Sequence, residues 1–188
     1  KGVRDFFYLR VSNSIGGAVV ADGAVYKGAC GSAGEIGLVL VHTGERFSEG
    51  GRVPLEDCAS GRGLVNTYLS LGGKKKIDGI PCDGVSIARL ARDEDQIAKK
   101  AFLLEGMYLG QAIAGCCLLL DPGMVIIGGG LSLAFDLYGE TLRRTVREEM
   151  GVAKAGCPAI QPTGLGYDGG LIGAAALANS AILEYNSQ

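Results

Sequence analysis

Two carboxylates stand in surroundings that suit the binding of a polar ligand. Glu35 lies between glycines at the start of an apolar run, in AGEIGLVLVHTG, and Glu56 follows in LEDCASG. An ionised carboxylate only accepts hydrogen bonds, and it can hold two hydroxyl groups at defined angles. The residues alone leave another interpretation open, in which Glu35 caps a loop and Glu56 is a solvated residue in the first turn of a helix.

Three glycine-rich turns follow or flank apolar runs that could be strands. They are SNSIGG at 12–17, IIGGGLS at 126–132 and GLGYDGG at 164–170. Glycines after a strand leave backbone N–H groups free to bind phosphate, and no Cβ blocks the ligand. Any one of them could be an ordinary turn. Three in one domain favour a cleft for a nucleotide or a polar small molecule.

The composition limits the class of protein. The chain has 188 residues, enough for one domain with a sizeable core, and 47% hydrophobic with 20% charged residues is typical of a globular protein. A net charge of −2 argues against a nucleic-acid-binding face, which would be basic. The six cysteines form no C-x-x-C pair, so we expect reduced thiols in a cytoplasmic protein. The most apolar run, 107–120, is too short to span a membrane.

The order of predicted elements indicates an α/β fold with one mixed sheet and helices packed on it. Asp22-Gly23 predicts a hairpin, and Asp93 with Gln96 predicts a capping box at the start of the longest helix. Apolar runs and alternation predict strands over 5–12, 17–22, 36–41, 124–130 and 159–163. Helical periodicity predicts helices over 55–71, 86–92, from the Asp93 cap to 120, 137–150 and 171–184.

Four stretches together resemble the C-terminal lobe of the ROK family, which comprises sugar kinases and sugar-responsive transcriptional repressors. IGGAVVADGAVYKGACGSAGEIG resembles the family's phosphate turn, hairpin and A-G-E-I-G-H block, and LEDCASGRGL resembles its L-E-x-x-A-S-G. LLLDPGMVIIGGGLS resembles the segment that closes the adenosine site in the kinases, and DGGLIGAAALA resembles the terminal helix. The resemblance implies an actin/hexokinase-type, ribonuclease H-like fold, with 1–188 as one lobe. An N-terminal lobe, and in the repressors a winged helix, would lie upstream.

The resemblance implies a role for each group of candidate residues. Sugar hydroxyls would bind to Glu35 and Glu56, with Gly31 beside them. The nucleotide and its phosphates, where the family's nucleotide site is retained, would contact Ser12, Asn13, Ser14, Gly16, Gly128, Gly129 and Gly130.

The chain departs from the family pattern at its structural zinc site. Where the family has the histidine of A-G-E-I-G-H and the three cysteines of C-x-C-G-x-x-G-C, this sequence has Leu38, Phe47, Glu49 and Pro54. Zinc needs a closed tetrahedron of Cys, His or carboxylate ligands, and Glu49 alone cannot supply one. His42, the only histidine, reads as a surface residue. We therefore expect no zinc, and a loosened loop over 43–54, because a lost metal removes folding free energy.

A second departure concerns phosphate binding. The family kinases carry G-T-G at the turn that reads Ser12-Asn13-Ser14 here, and the added side chains should crowd the backbone approach to phosphate. The serine hydroxyls and Asn13 could still bind an anion. The family's catalytic aspartate precedes this turn, so it would lie before Lys1, and this chain alone would contain no catalytic residue.

Three functions follow from the resemblance. The first hypothesis is the sugar-binding and oligomerisation lobe of a transcriptional regulator, which needs no cofactor and contacts DNA only through an upstream domain. The alternative is an ATP- and Mg²⁺-dependent kinase for a hexose or N-acetylhexosamine. A third is a degenerate, non-catalytic sugar-binding member. In each case we expect a monosaccharide ligand, no membrane, and a cytoplasmic homodimer or homotetramer.

Overall fold

The main sheet has five strands in the spatial order β3-β2-β1-β8-β9. The computed structural model describes residues 2–47, 49–151 and 156–186. β1 runs antiparallel to β2 and parallel to β8, and β8 runs parallel to β9. This confirms the mixed sheet that the element order predicts. The strands are β1 (Phe6–Val11), β2 (Ile15–Ala21), β3 (Ala24–Tyr26), β8 (Met124–Gly128) and β9 (Ala159–Pro162).

Two short hairpins lie outside the main sheet, and the sequence pattern predicts neither. Their strands are only two or three residues long, so alternation has no room to show. They pair β4 (Leu40–His42) with β5 (Arg52–Pro54), and β6 (Lys76–Ile77) with β7 (Ile80–Pro81).

Four helices, α1, α2, α3 and α5, pack against α4, whose inner face contributes many residues to the core. Phe102, Leu109 and Ile113 on α4 are each at most 1% exposed. Among the described residues α4 is the one helix long and apolar enough to cross a bilayer, and half of that apolar stretch is buried inside the fold, as in a core helix. The helices are α1 (Leu55–Ala59), α2 (Gly61–Ser70), α3 (Gly84–Arg92), α4 (Gln96–Leu120), α5 (Phe135–Met150) and α6 (Gly169–Asn186).

The structure corrects two predicted helix boundaries. The helix predicted over 55–71 is broken at Ser60, which is extended and whose hydroxyl accepts the Gly63 N–H, so that α2 has its own N-cap. The capping box predicted at Asp93 is wrong. Asp93 ends α3, Glu94 takes a positive φ, and Asp95 caps α4 by accepting the Ala98 N–H at 2.8 Å.

The strand predicted over 36–41 is also only partly present. Ile36–Leu38 forms a 3-10 turn, and the strand begins at Leu40. Two glycines allow the backbone to pass close to β2 before the strand begins. A Cβ on Gly34 would overlap the Gly17 carbonyl, and one on Gly37 would lie 2.5 Å from the Ile15 oxygen. The backbone therefore lies in direct contact with β2 before it extends at Leu40.

Candidate functional site

A cavity of about 810 Å³ opens at the carboxyl ends of β1 and β8. Ser12 follows β1 and Gly130 follows β8, and both line it. Asn13 and Arg62 contribute polar groups to its wall, and Val85 and Leu133 contribute apolar surface. A cavity of this size, with few polar groups in a mostly apolar wall, suits a nucleoside-sized ligand with an anionic tail.

The first turn of α2 holds the turn at Ser12–Ser14 in place. The Gly61 N–H donates to the Ser12 carbonyl at 2.7 Å, and the Arg62 Nε donates to the Asn13 carbonyl at 3.3 Å. Within the turn, the Ser12 N–H donates to the Ser14 carbonyl at 3.0 Å. The turn therefore presents side chains and a helix N-terminus to the cavity, in place of a row of free glycine amides.

The residues that the resemblance implies for the nucleotide separate into two groups. Ser12, Asn13 and Gly130 line the cavity, whereas the other four do not line it. Two of those four have a packing reason to be glycine: an added Cβ would overlap the Tyr8 hydroxyl at Gly128 and the Val11 carbonyl at Gly129. The positions outside the lining are Ser14, Gly16, Gly128 and Gly129.

Glu35 projects from a tightly packed backbone into solvent. It precedes the 3-10 turn, makes no side-chain capping bond there, and is exposed. The flanking Gly34 accepts the Gly17 N–H at 2.9 Å through its carbonyl. The glycines around Glu35 are thus needed for contact with β2, and the carboxylate is left available to a ligand.

Glu56 lies beside the same segment. It is half-buried in the first turn of α1, and an added Cβ on Gly37 would lie 3.5 Å from the Glu56 Cβ. The Leu55 N–H also donates to the Val39 carbonyl at 2.8 Å. The fold therefore brings the segments of Glu35 and Glu56 together, outside the cavity lining. Gly31 is exposed in the loop before them, with φ +76°.

The four positions of the family zinc site lie on or next to the β4–β5 hairpin. Leu38 is 60% exposed, Glu49 is exposed, and Pro54 pairs with Leu40 in the hairpin register. Phe47 packs on the core, its ring 6.5 Å from that of Tyr108 in an edge-to-face arrangement. Within 2–47, 49–151 and 156–186 no cluster of three His, Cys, Asp or Glu could hold a metal ion. The absence of zinc remains a prediction.

The loop after β4 is packed where the sequence led us to expect a loosened one. Thr43 is 7% exposed, and its N–H donates to the Gly51 carbonyl at 2.8 Å. The Gln111 side chain binds both the N–H and the carbonyl of His42, at 2.8 and 3.0 Å, while the His42 side chain is exposed. Apolar packing of Phe47 and the hydrogen bonds of the Gln111 side chain hold this segment on α4.

Charged side chains near the cavity are mostly paired. The Arg92 guanidinium binds both carboxylate oxygens of Asp136, at 3.0 and 2.8 Å, and this lowers the pKa of Asp136. The Asp83 carboxylate accepts the Ser86 N–H at 2.7 Å as the N-cap of α3, a bond that lowers the pKa of Asp83. Both side chains therefore have a structural partner.

A buried carboxyl group escapes sequence analysis. Glu105 on α4 is 1% exposed, and neither of its oxygens has a hydrogen-bond partner among the described residues. Burial raises the pKa of Glu105 well above its usual range, and it raises the pKa of the nearby Cys58 thiol to about 12. One acidic residue in the apolar run AFLLEGMYL is the only sequence signal of this site.

The fold is an α/β lobe with a cavity outside the carboxyl ends of adjacent parallel strands, which is the usual ligand position in such sheets. The chain belongs to the ROK family, whose model matches residues 1–181. This confirms the resemblance on which the site assignments depend.

The relatives and solved structures that the chain resembles include several sugar kinases. It is 34% identical over 175 residues to the bifunctional enzyme NanE/NanK of Brucella melitensis, covering 93% of this chain and 31% of that protein. It is 31% identical to the N-acetyl-D-glucosamine kinase of Histophilus somni, covering 90% of this chain and 57% of that one. The structure matches a ROK family glucokinase from Streptomyces griseus, solved with glucose and AMPPNP, with a TM-score of 0.80, 27% identity, and coverage of 94% and 61%.

A ROK family transcriptional regulator, a homologue of the E. coli MLC protein, has the same fold at 23% identity, with a TM-score of 0.72 and coverage of 85% and 42%. The chain thus spans less than two thirds of the length of each of these proteins.

Proposed function

We propose that this chain is the C-terminal lobe of an ATP-dependent kinase for a hexose or N-acetylhexosamine. The cavity at the carboxyl ends of β1 and β8 carries the proposal, because it offers about 810 Å³ and its wall has both polar and apolar side chains. A transcriptional regulator, which the altered turn at 12–14 favours on sequence grounds, has no need of such a nucleotide site. The kinase relatives support the same choice.

In this proposal Glu35 and Glu56 hold the sugar hydroxyls, while the cavity holds ATP. An ionised carboxylate orients a hydroxyl firmly, and orientation is most of what phosphoryl transfer requires of a protein. ATP would bring its Mg²⁺, which is bound mainly through phosphates and water in such sites. The general base would come from the part of the protein upstream of this chain. The protein would act in the cytoplasm, as a homodimer or homotetramer.

The test is ATP turnover by the full-length protein, coupled to ADP release, across a panel that includes glucose and N-acetyl-D-glucosamine. We expect turnover that needs both Mg²⁺ and one or more of these sugars. Sugar binding without ATP turnover, together with sugar-dependent release of DNA, would overturn the proposal in favour of the regulator. Size-exclusion chromatography with light scattering on the same sample measures the oligomeric state.

A further inference from the structure

We propose that Arg62 is the residue that attracts the phosphates of the nucleotide in this protein, in place of the backbone amides of the turn at Ser12–Ser14. The inference rests on the proposed function, because it concerns the same cavity. It deepens that function by assigning the anionic end of the ligand to one side chain.

Part of the backbone of the turn is already engaged in hydrogen bonds within the protein. The Ser12 N–H is already donated to the Ser14 carbonyl at 3.0 Å, and Ser14 does not line the cavity. Side chains also occupy the three positions, so the backbone cannot approach a phosphate as closely as glycine would allow. We therefore assign the main attraction for the phosphates to a side chain.

The charges around the cavity indicate that Arg62 is the side chain that attracts the phosphates. Of the charged residues in its lining, Arg92 is paired with Asp136, and Asp83 caps α3. Arg62 has no carboxylate partner among the described residues. An unpaired guanidinium at the wall of a cavity attracts an anionic ligand, and its planar fork matches phosphate geometry.

A hydrogen bond and a helix N-terminus place Arg62 beside the turn. Its Nε donates to the Asn13 carbonyl at 3.3 Å, which aligns the side chain with the turn and leaves the terminal nitrogens for a ligand. It also lies in the first turn of the ten-residue α2, behind the Ser60 N-cap, where the helix dipole adds positive potential. Ser12, Asn13 and Asn66 in the same wall can donate or accept further hydrogen bonds.

The arrangement orients the nucleotide. With the phosphates at Arg62 and the turn, the nucleoside occupies the rest of the cavity, where Val85 and Leu133 contribute apolar surface. It follows that removing the Arg62 side chain should weaken the binding of ATP far more than that of adenosine.

The experiment measures the affinity of the full-length protein for ATP, ADP and adenosine by calorimetry, in wild type, Arg62→Ala, Arg62→Lys and Arg144→Ala. Arg144 is the matched control, because it is an exposed helical arginine outside the cavity lining that pairs with Glu148. For Arg62→Ala we expect ATP to bind about tenfold more weakly, with adenosine changed less than twofold. Arg62→Lys should recover part of the loss, and Arg144→Ala none of it. The wild-type affinity for ATP should fall more steeply with salt than that of Arg62→Ala.

Two results would overturn the inference alone: ATP binding unchanged in Arg62→Ala, or ATP and adenosine weakened equally, which would mean that Arg62 only braces the turn. Melting curves of each variant identify a loss of folding. Failure of the wild-type protein to bind ATP would instead overturn the proposed function together with the inference.

Discussion

The cavity and the β4–β5 hairpin depart from the family's sequence pattern in different ways. At the cavity, the glycine turn is replaced by Ser12-Asn13-Ser14, yet an arginine and several polar side chains still face an open space. At the β4–β5 hairpin, the metal-ligand positions hold mainly apolar residues, and Phe47 packs on Tyr108. The comparison teaches that the two departures differ in kind: polar donors remain at the cavity, whereas apolar packing occupies the positions at the hairpin.

Substitution at Glu35 tests the sugar side with the largest expected effect. Glu35→Ala removes a carboxylate that would accept bonds from two hydroxyls, so we expect kcat/KM for the sugar to fall about 100-fold in the full-length protein. Because Glu35 is exposed, the melting temperature should not change. Glu148→Gln, an exposed helical carboxylate outside the cavity lining, is the control. A fall of less than threefold would remove Glu35 from the sugar site.

Substitution of Phe47 tests whether its packing stabilises the hairpin. Phe47→Ala should lower the free energy of unfolding by about 2 kcal/mol, less than for a fully buried phenylalanine because Phe47 is half-buried. Phe47→Leu should lose about half as much, and Val25→Ala, at a 61% exposed position, should lose almost nothing. Urea unfolding measures all three. Equal stability of Phe47→Ala and wild type would mean that the hairpin is held by other contacts.

The buried carboxyl group of Glu105 should make the stability of the protein depend on pH. Its pKa is raised in the folded protein, so the native state binds more protons than the unfolded one above the ordinary value of 4.5. The protonated Glu105 thus makes its full contribution to the free energy of unfolding below pH 4.5. That contribution is lost as the pH rises toward the pKa of Glu105 in the folded protein. The groups facing it, Cys58 on α1, Tyr108 on α4 and Tyr138 on α5, have pKa values raised by burial, and titrate above this window.

Glu105→Gln removes this titration with little change of shape. We expect the free energy of unfolding of wild type to fall between pH 5 and pH 8 by about 1 kcal/mol or more relative to Glu105→Gln. Urea titrations at four pH values measure the difference. Parallel pH profiles for the two proteins would show that Glu105 finds a partner or water in solution.

Removal of metal ions should have the smallest effect on the stability of the protein. Since no cluster of ligands is present in the described residues, we expect EDTA to leave the melting temperature unchanged and metal analysis to find no stoichiometric zinc. A fall of several degrees with EDTA, reversed by zinc, would show that a metal still holds the hairpin.

Part of this structure was predictable because local signals agree with the global fold. MVIIG is apolar throughout and becomes the buried strand β8, and the glycines of AGEIG stand where the chain touches β2. The break at Ser60 was hidden, because the helical periodicity continues through it. The role of Arg62 has no local signal either, since it depends on the Asn13 carbonyl, which lies 49 positions away along the chain.

The central claim is that the cavity binds a nucleotide, and Cys82 tests it most directly. Cys82 is half-buried in the cavity lining, whereas Cys157 is exposed outside it. The measurement is the rate of alkylation of each thiol in the full-length protein, by mass spectrometry, with and without Mg²⁺–ATP. The account predicts that ATP slows alkylation of Cys82 about tenfold and leaves that of Cys157 unchanged. Equal rates at Cys82 with and without saturating ATP would contradict it.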